Sequence, residues 1–355
     1  MAVAEYHRIY IIHVKGMRHE LTVFPEVKPV QDGPLTTYVV TYPPGRIPKT
    51  TWLNRIKAVF RVFESLLARN ILPDIIHANV HNTSDLAYLL QRRYKIPAVI
   101  TEHSTEYPRK LLTKSNQIKI RFYLNRLKLI MPVSQDLVSH IQAHGIHAPF
   151  EVIPNTVNTD IFYPGNLKLS NQDGIKRILV VAALTKVKGI DYLLRALALV
   201  KQQGNRFILL VAGDGPDRTA LSSLAYELGI SEDIFILGNR TKPEVAELMR
   251  QVDFLALTSR WDNQPVVVLE AMASGLPVLV SRVGGIPEVV SAKQGQLVEV
   301  ADIGDIANKL EHMLNHSQDY SSEQISAYAR SRFCYETVGK LYSAAYSQVI
   351  DRYRK

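Results

Sequence analysis

The feature that most constrains the fold is an alternation of short apolar segments with helical hydrophobic patterns, which occurs twice along the 355 residues. Alternation on this scale is typical of parallel sheets covered by helices on both faces. We therefore predict an α/β protein with two doubly wound, Rossmann-like domains. Ligands of such sheets bind at the carboxyl ends of the strands, so the cleft between the domains is the expected site.

The individual elements follow from apolar periodicity and from the glycine and proline residues that bound them. In the first half the predicted strands are Arg8–Val14, Leu21–Phe24, Tyr38–Thr41, Asp74–Ala78, Ala98–Glu102 and Leu129–Val133, with helices at Thr51–Ala68, at Thr83–Tyr94 and from Ser134. In the second half the predicted strands are Ile178–Ala183, Phe207–Ala212, Ile234–Leu237, Phe254–Leu257 and Pro277–Val280, with helices at Tyr192–Gln203, Asp217–Leu228, Pro243–Gln251, Pro265–Ser274 and Ile303–Asn315.

A connector rich in Asn, Pro and Gly, Asn155–Asp173, separates the two series. It indicates a first domain at residues 1–165 and a second at residues 166–332. The remaining segment, residues 333–355, contains an aromatic-spaced helix over Tyr335–Arg352. We expect this helix to pack back on the first domain.

Composition excludes several classes of protein. The single cysteine, Cys334, can form no internal disulfide and has no partners for a metal site, which fits a reducing cytosol. No apolar run approaches the roughly 18 residues of a membrane span. The start, MAVAEYHR, does not have the basic and apolar regions of a signal peptide. We expect a cytoplasmic protein.

Positive charge is concentrated in the first half of the chain. Residues 1–166 hold 20 Lys and Arg against 12 Asp and Glu, which accounts for +8 of the net charge of +9. Within Pro108–Gln135, seven basic residues alternate with apolar ones and no acid occurs. Such a surface suits an anionic membrane, so peripheral association with the inner membrane face is one interpretation and a solvated basic face is the other. No RNA-binding signature occurs, and no nucleic-acid partner is expected. The seven basic residues of Pro108–Gln135 are Arg109, Lys110, Lys114, Lys119, Arg121, Arg126 and Lys128.

One ionisable residue interrupts the apolar helix Pro265–Ser274. Glu270 lies among Val, Leu, Ala and Met side chains, where a carboxylate is costly unless it has a partner. The amino end of this helix offers free N–H groups and a positive dipole, which suit phosphate. A carboxylate beside phosphate is unfavourable, so the natural partner of Glu270 is a hydroxyl pair such as a ribose diol. The alternative is a partly exposed helix glutamate with no role.

Three further candidates follow predicted strands of the second half. Asp262 precedes the same helix, where it either caps the helix or binds a ligand. Lys188 follows the strand Ile178–Ala183, where it could neutralise a leaving diphosphate, with Lys186 as a rival. Gly213 and Gly215 could allow a ligand to approach the backbone closely, or they could form a tight turn between strand and helix. Because Arg218 occupies the third glycine position of a dinucleotide fingerprint, an NAD-dependent enzyme is not expected.

In the first half, His103 follows the predicted strand Ala98–Glu102 and could donate a hydrogen bond to a sugar hydroxyl. Together with His77 and His81 it does not form a compact metal-ligand spacing. No Asp-x-Asp sequence occurs that could bridge a metal ion to a diphosphate. We therefore predict no metal and no cofactor.

Five stretches together resemble glycosyltransferase family 4 (group 1), the retaining nucleotide-sugar transferases of GT-B fold. These stretches are VIPNTVNTDIFYPG (152–165), VAALTKVKGIDYLLRAL (181–197), LLVAGDGP (209–216), ILGNRTKPEV (236–245) and SRWDNQPVVVLEAMASGLPVLVSRVGG (259–285). The resemblance covers nearly the whole chain. It implies transfer of a sugar from a nucleoside diphosphate to an acceptor hydroxyl without a metal, in polysaccharide or glycolipid biosynthesis. The acceptor it suggests, with the basic first half, is lipid-linked or a carbohydrate.

The resemblance also assigns roles to individual residues. Glu270 would bind the ribose, Asp262 the donor sugar and Lys188 the diphosphate. His103 would contact the sugar and support the transition state. Backbone amides around Asn263–Val267 would hold the sugar and diphosphate, and Gly238, Asn239 and Arg240 would lie beside the base. The donor-binding residues of the first stretch are Asn263, Gln264, Pro265, Val266 and Val267.

Three departures from the family pattern stand out. The first acid is usually Glu, and Asp262 is one methylene shorter. Ala182-Ala183 stands where the family strand usually leads into Gly-Arg, so the diphosphate loses a cation unless Lys186 or another residue substitutes. Family members also begin with a strand, a glycine-rich loop and a helix, whereas Met1–His7 resembles only the end of that helix. We hypothesise an N-terminally truncated chain that is poorly stable and weakly active.

Two other functions remain open at this stage. The departures fit a catalytically impaired protein that binds a sugar nucleotide, or a truncated fragment. A GT-B epimerase or phosphorylase is the third reading, but it does not explain Asp262 and Glu270 together with Lys188.

Overall fold

The computed structural model describes residues 2–16, 29–32, 35–45, 47–165 and 174–354. The predicted α/β class with two Rossmann-like domains is confirmed. The predicted strand Leu21–Phe24 lies outside the described residues. Among the described residues, no helix combines the length and apolarity that crossing a bilayer requires.

The described strands of the first domain form two three-stranded sheets, in the orders β1-β3-β2 and β4-β5-β6. Neighbouring strands are parallel except for β2, which pairs antiparallel with β3. The strands are β1 Ile9–Gly16, β2 Pro29–Asp32, β3 Leu35–Tyr42, β4 Ile76–Asn79, β5 Ala98–Glu102 and β6 Leu129–Pro132. The helices are α1 Pro48–Leu67, α2 Ser84–Tyr94, α3 Lys114–Leu124 and α4 Gln135–Ala143.

Helix α1 joins the two sheets of this domain. One side of α1 packs on β3, where Ala58 and Val62 meet Tyr38 and Val40 in one cluster. Another side packs Val59 and Phe63 on α2, and residues of β1 and β4 border that second cluster. Both sheets therefore share one apolar layer, although β1 and β4 are not paired with each other among the described strands.

The segment before β1 differs from its prediction. Met1–His7 was expected to be the end of a helix, but Ala2–Tyr6 forms turns in which the carbonyl of Val3 accepts from the N–H groups of Tyr6 and His7. Contacts with the C-terminal helix hold it instead, since the imidazole of His7 lies 3.0 Å from the hydroxyl of Ser343.

The second domain is a six-stranded parallel sheet in the order β12-β11-β10-β7-β8-β9. Its strand order reverses between β7 and β10, which places a crevice at their carboxyl ends. The strands are β7 Lys176–Val181, β8 Phe207–Ala212, β9 Ile234–Gly238, β10 Phe254–Leu257, β11 Val278–Ser281 and β12 Gly295–Val298. The helices are α5 Ile190–Gln202, α6 Arg218–Glu227, α7 Lys242–Gln251, α8 Val266–Ala273, α9 Ile286–Val289, α10 Ile303–His316 and α11 Ser322–Phe333.

The last helix, α12 Tyr335–Arg354, returns to the first domain. Its apolar face joins one buried cluster with β5, β6 and the segment after them. The chain crosses between the domains twice at this point, where Val157 and Cys334 form an isolated parallel bridge. The buried members contributed by α12 are Val338, Ala345, Tyr346 and Val349.

Candidate active site

The crevice between β7 and β10 brings Lys188 to Asp262. Lys188 ends a short 3-10 turn after β7, and its Nζ donates to Oδ2 of Asp262 at 2.7 Å. Gly189 makes this possible, because it adopts φ 61° and a Cβ there would lie 2.0 Å from the carbonyl oxygen of Thr258. The rival Lys186 is exposed, and Asp262 is engaged by Lys188. A cation and a carboxylate thus stand together where a diphosphate sugar was expected.

Glu270 lies on α8 and is 3% exposed, which excludes the alternative of a partly exposed helix glutamate. Its side chain forms an ion pair with Lys242, the first residue of α7. Burial raises the pKa of Glu270, and the hydrogen bond and charge of Lys242 oppose that rise. The carboxylate is therefore held at the edge of the crevice by one largely exposed cation.

The start of α8 differs by one residue from its prediction. Pro265 was placed at the first helical position, but its ψ of 121° makes it the N-cap, and Val266 is the first helical residue. Val266 and Val267 therefore carry first-turn N–H groups that have no partner within the helix. Both residues are half-buried. This geometry is compatible with an anion at the helix start.

The two polar residues before α8 have side-chain partners of their own. Gln264 is tied to the interdomain connector, since its Oε1 accepts from the N–H of Asn155 at 2.6 Å. Its carbonyl oxygen accepts from Nδ2 of Asn155 at 2.8 Å. Asn263 reaches the opposite domain, where its Nδ2 donates to the carbonyl oxygen of His103 at 2.8 Å.

The glycines after β8 have a structural reason beyond any ligand. A Cβ on Gly213 would lie 1.9 Å from the carbonyl oxygen of Ala182, and one on Gly215 would lie 2.4 Å from that of Leu184. Both positions therefore require glycine because two loops at the strand ends approach each other closely. The tight-turn alternative suffices to explain these residues, and a donor contact stays a prediction.

The loop after β9 holds the residues predicted to lie beside the base. Gly238 adopts φ 75°, and a Cβ there would meet nothing within 4 Å. Asn239 and Arg240 are exposed, and Nη1 of Arg240 lies 3.8 Å from a carboxylate oxygen of Glu244. This loop runs directly into α7 and Lys242, so it borders the Glu270 pair.

His103 stands on the first-domain side of the crevice, directly after β5, and its side chain is exposed. The side chains of the other two histidines have other partners. His77 is bonded to Thr101, and His81 lies against carboxylates. No group of three His, Cys, Asp or Glu that could hold a metal occurs among the described residues. Metal independence stays a prediction.

Sequence reasoning missed three partners in this site. Lys242 had a weak signal, because a Thr-Lys-Pro-Glu capping sequence places it at a helix start. Asn263 was predicted to act only through its backbone, so the contact of its side chain was missed. Glu102 was taken as the end of a strand, although an acid that ends an apolar strand and is 0% exposed demands partners.

Comparison with known proteins identifies the family. A family model described as glycosyl transferases group 1 matches residues 168–332, and one described as glycosyltransferase family 4 matches residues 10–161. The two matches together span both domains. The chain belongs to the group 1 glycosyltransferases of family 4.

Individual relatives agree with this assignment. The chain is 27% identical over 291 residues to N-acetyl-alpha-D-glucosaminyl L-malate synthase of Bacillus anthracis, covering 78% of this chain and 75% of that protein. In fold it resembles sucrose-phosphate synthase from Thermosynechococcus elongatus, with a TM-score of 0.80, 18% identity and coverage of 98% and 90%. It also resembles Anabaena HepE in complex with UDP and glucose, with a TM-score of 0.73, 21% identity and coverage of 87% and 85%.

Proposed function

We propose that this glycosyltransferase moves a sugar from a nucleoside diphosphate to an acceptor hydroxyl, with retention of configuration and without a metal. The observation that carries the proposal is the contact between Lys188 and Asp262 at the strand ends of the second domain, in a loop whose next residue, Asn263, contacts His103 of the first domain. Relatives that hold UDP and glucose in the same fold support a nucleotide sugar as donor.

Each side chain has a task that its position and charge allow. Lys188 stabilises the negative charge that develops on the leaving diphosphate, an interaction that strengthens towards the transition state. Glu270 accepts hydrogen bonds from the ribose hydroxyls, and Asp262 accepts from the donor sugar. His103 donates to a sugar hydroxyl across the cleft. Gly238, Asn239 and Arg240 border the base.

Retention without a covalent intermediate is the most detailed part of the proposal. It needs the diphosphate to leave and the acceptor to attack on the same face of the sugar. Two carboxylates close to His103 in the sequence have other partners, since Glu102 accepts from backbone N–H groups and Glu106 lies against His81. This leaves neither as a free nucleophile, which supports same-face substitution.

The direct test is a transfer assay with a panel of nucleotide sugars and simple acceptors. Donors are first ranked by thermal shift, and the anomeric configuration of the product is then read by NMR. We expect one nucleotide sugar to stabilise the protein and to yield a product with the configuration of the donor. Inversion would overturn retention, and a need for added divalent cation would overturn metal independence.

For the acceptor we propose a lipid-linked or carbohydrate molecule at the cytoplasmic membrane face. The exposed surface of α3 combines cations with large apolar side chains, since Ile118 is 71% and Phe122 is 45% exposed. Lys119 and Arg121 are exposed beside them. Charge attracts anionic headgroups and the apolar side chains insert between them.

Co-sedimentation with vesicles tests this surface. We expect binding to vesicles with anionic lipid and little binding to neutral ones. The variant with Lys119→Glu and Arg121→Glu should lose binding, while Lys293→Glu, an exposed change on the second domain, should keep it. Equal binding to neutral vesicles would refute the electrostatic role.

A second candidate function is a catalytically impaired protein that binds a sugar nucleotide. It is favoured by Ala182-Ala183, which stands where the family pattern has an arginine, and by Asp262, whose carboxylate is engaged by Lys188. Calorimetric binding of a nucleotide sugar without measurable transfer or hydrolysis would favour this function over the first.

A further inference from the structure

The carboxylate of Glu102 accepts four hydrogen bonds beside the cleft. Glu102 ends β5 and is fully buried. One oxygen accepts from the N–H of His103 at 3.0 Å and of Ser104 at 2.8 Å. The other accepts from the N–H of His81 at 2.7 Å and from the hydroxyl of Tyr107 at 3.3 Å. Four donors converge on one carboxylate, which compensates for the cost of burying it.

These bonds join two loops that the sheet alone would leave independent. His81 lies in the loop after β4, and His103 and Ser104 lie in the loop after β5. Parallel pairing holds β4 and β5 side by side up to Asn79 and Thr101. Beyond these residues the N–H of Val80 still donates to the carbonyl oxygen of Thr101, and the side chain of Glu102 then joins the two loops. The position of His103 therefore depends on a side chain that does not itself face the cleft.

The imidazole of His81 adds a fifth contact to the same carboxylate. Its Nδ1 lies 3.3 Å from Glu102, and its Nε2 lies 3.4 Å from Glu106. Burial favours the neutral ring, but the two carboxylates raise the pKa of His81. The ring of Tyr107 closes the cluster, edge-on at 5.1 Å from that of His81. Glu106 is the exposed member of the group.

His103 is also held from the opposite domain. Asn263 is 3% exposed, and its Nδ2 donates to the carbonyl oxygen of His103 at 2.8 Å. The carbonyl oxygen of Asn263 accepts from the N–H of Gly285, which fixes the loop that carries it. His103 is thus held by its N–H from its own domain and by its carbonyl from the donor domain.

We propose that Glu102 is a positioning residue that sets the place of His103 at the cleft, and that the side-chain amide of Asn263 completes this clamp from the donor domain. The inference rests on the proposed function, because it concerns where His103 meets the donor sugar. Neither side chain needs to contact the reacting atoms. The clamp closes only when the two domains meet, so it couples cleft closure to the placement of His103.

The test is Glu102→Gln in the full chain with the nucleotide sugar that the wild type turns over. The side-chain NH2 of the glutamine is a donor, and it would face other N–H or O–H donors where a carboxylate oxygen now accepts. The two loops would therefore shift. A misplacement of about 1 Å costs roughly 100-fold in rate. We expect kcat to fall about 10- to 100-fold, while the donor KM and the Kd of the nucleoside diphosphate stay within about twofold. A merely structural defect would not separate kcat from binding in this way.

Two further variants keep the test decisive. Glu106→Gln changes the exposed carboxylate on the other side of His81 and should leave kcat within about threefold of wild type. Asn263→Ala removes the second half of the clamp without burying a new group, and should lower kcat about 10-fold. If Glu102→Gln does not fold, Asn263→Ala decides. In the double variant the fold-loss in kcat should be smaller than the product of the two single losses, because both changes act on His103.

The outcomes distinguish this inference from the proposed function. A wild-type chain that transfers no sugar from any donor contradicts the proposed function itself. A wild-type chain that is active, with both variants at wild-type kcat, overturns the clamp. A raised donor KM at unchanged kcat also overturns it, because the residues would then act in binding.

Discussion

His77 should make the junction between the first domain and α12 sensitive to acid. The side chain lies on β4, where its Nε2 is 2.7 Å from the hydroxyl of Thr101 and its Nδ1 is bonded to the hydroxyl of Tyr346. The ring of Tyr342 packs at 5.6 Å. Burial in this aromatic setting lowers the pKa of His77 from 6.5 to about 4. A protonated ring could no longer accept a hydrogen bond from either hydroxyl, and it would carry an unpaired charge.

The sign and size of the effect follow from linkage. Between pH 6.5 and 4 the unfolded chain binds a proton that the folded chain does not, so the free energy of unfolding falls as the pH falls. The contribution is fully present above pH 6.5. At about 1.36 kcal/mol per pKa unit, the loss reaches about 2 kcal/mol by pH 4.5 and about 3 kcal/mol below pH 4.

Urea unfolding at pH 7 and pH 4.5 measures this loss. The fluorescence of Trp52, in α1, reports on the first domain. The matched variant is His77→Gln, which keeps polar contacts but has no proton to bind in this range. It should be less stable at pH 7, and the gap to wild type should narrow by about 2 kcal/mol at pH 4.5. Parallel losses in both proteins would refute the reasoning, because the acid sensitivity would then arise elsewhere.

Three further predictions concern the donor side. Glu270→Gln should weaken binding of the nucleoside diphosphate about 10-fold, or about 1.4 kcal/mol, by calorimetry, because the ribose loses a charged acceptor. Gly213→Ala should destabilise the second domain by about 2 kcal/mol in thermal unfolding, since its Cβ would lie 1.9 Å from a backbone oxygen; Gly304→Ala, at the start of α10, should be neutral or stabilising. Lys188→Met should lower kcat/KM about 100-fold in steady-state kinetics. If activity falls while the Tm stays unchanged, the role of Lys188 is not purely structural.

Much of the fold could be predicted because its signals are local. Strands β8 and β11 are apolar runs that adjoin Gly213 and Pro277, and α4 begins after Ser134, whose Oγ accepts from the N–H of Leu137. Strand β12, Gly295–Val298, was not predicted. The elements that were missed carry weak local signals. Strand β2, Pro29–Asp32, contains a proline and two polar residues, and it exists through antiparallel pairing with β3. Pattern reasoning has no access to that pairing.

The candidate site shows the same limit at the level of single side chains. The burial of Glu270 could be predicted from its apolar neighbours on α8. Its partner Lys242 could not, because the two are 28 residues apart and meet only through the crossover from β9 to α7. The contact between Asn263 and His103 spans 160 residues and two domains. Such pairs are set by how the layers pack, which no local pattern records.

The two lysine–carboxylate pairs give the departures from the family pattern a physical meaning. Asp262 is one methylene shorter than the glutamate of that pattern, yet it still reaches Lys188 at 2.7 Å. In the proposed reaction, Lys188 turns to the diphosphate and Asp262 to the donor sugar, while Glu270 turns from Lys242 to the ribose. Both carboxylates then exchange a cation for hydroxyls, and both cations come within reach of phosphate. In that exchange Lys242 would supply a second positive charge, and it follows β9 in the same half of the sheet as β7, after which Ala182-Ala183 replaces the arginine.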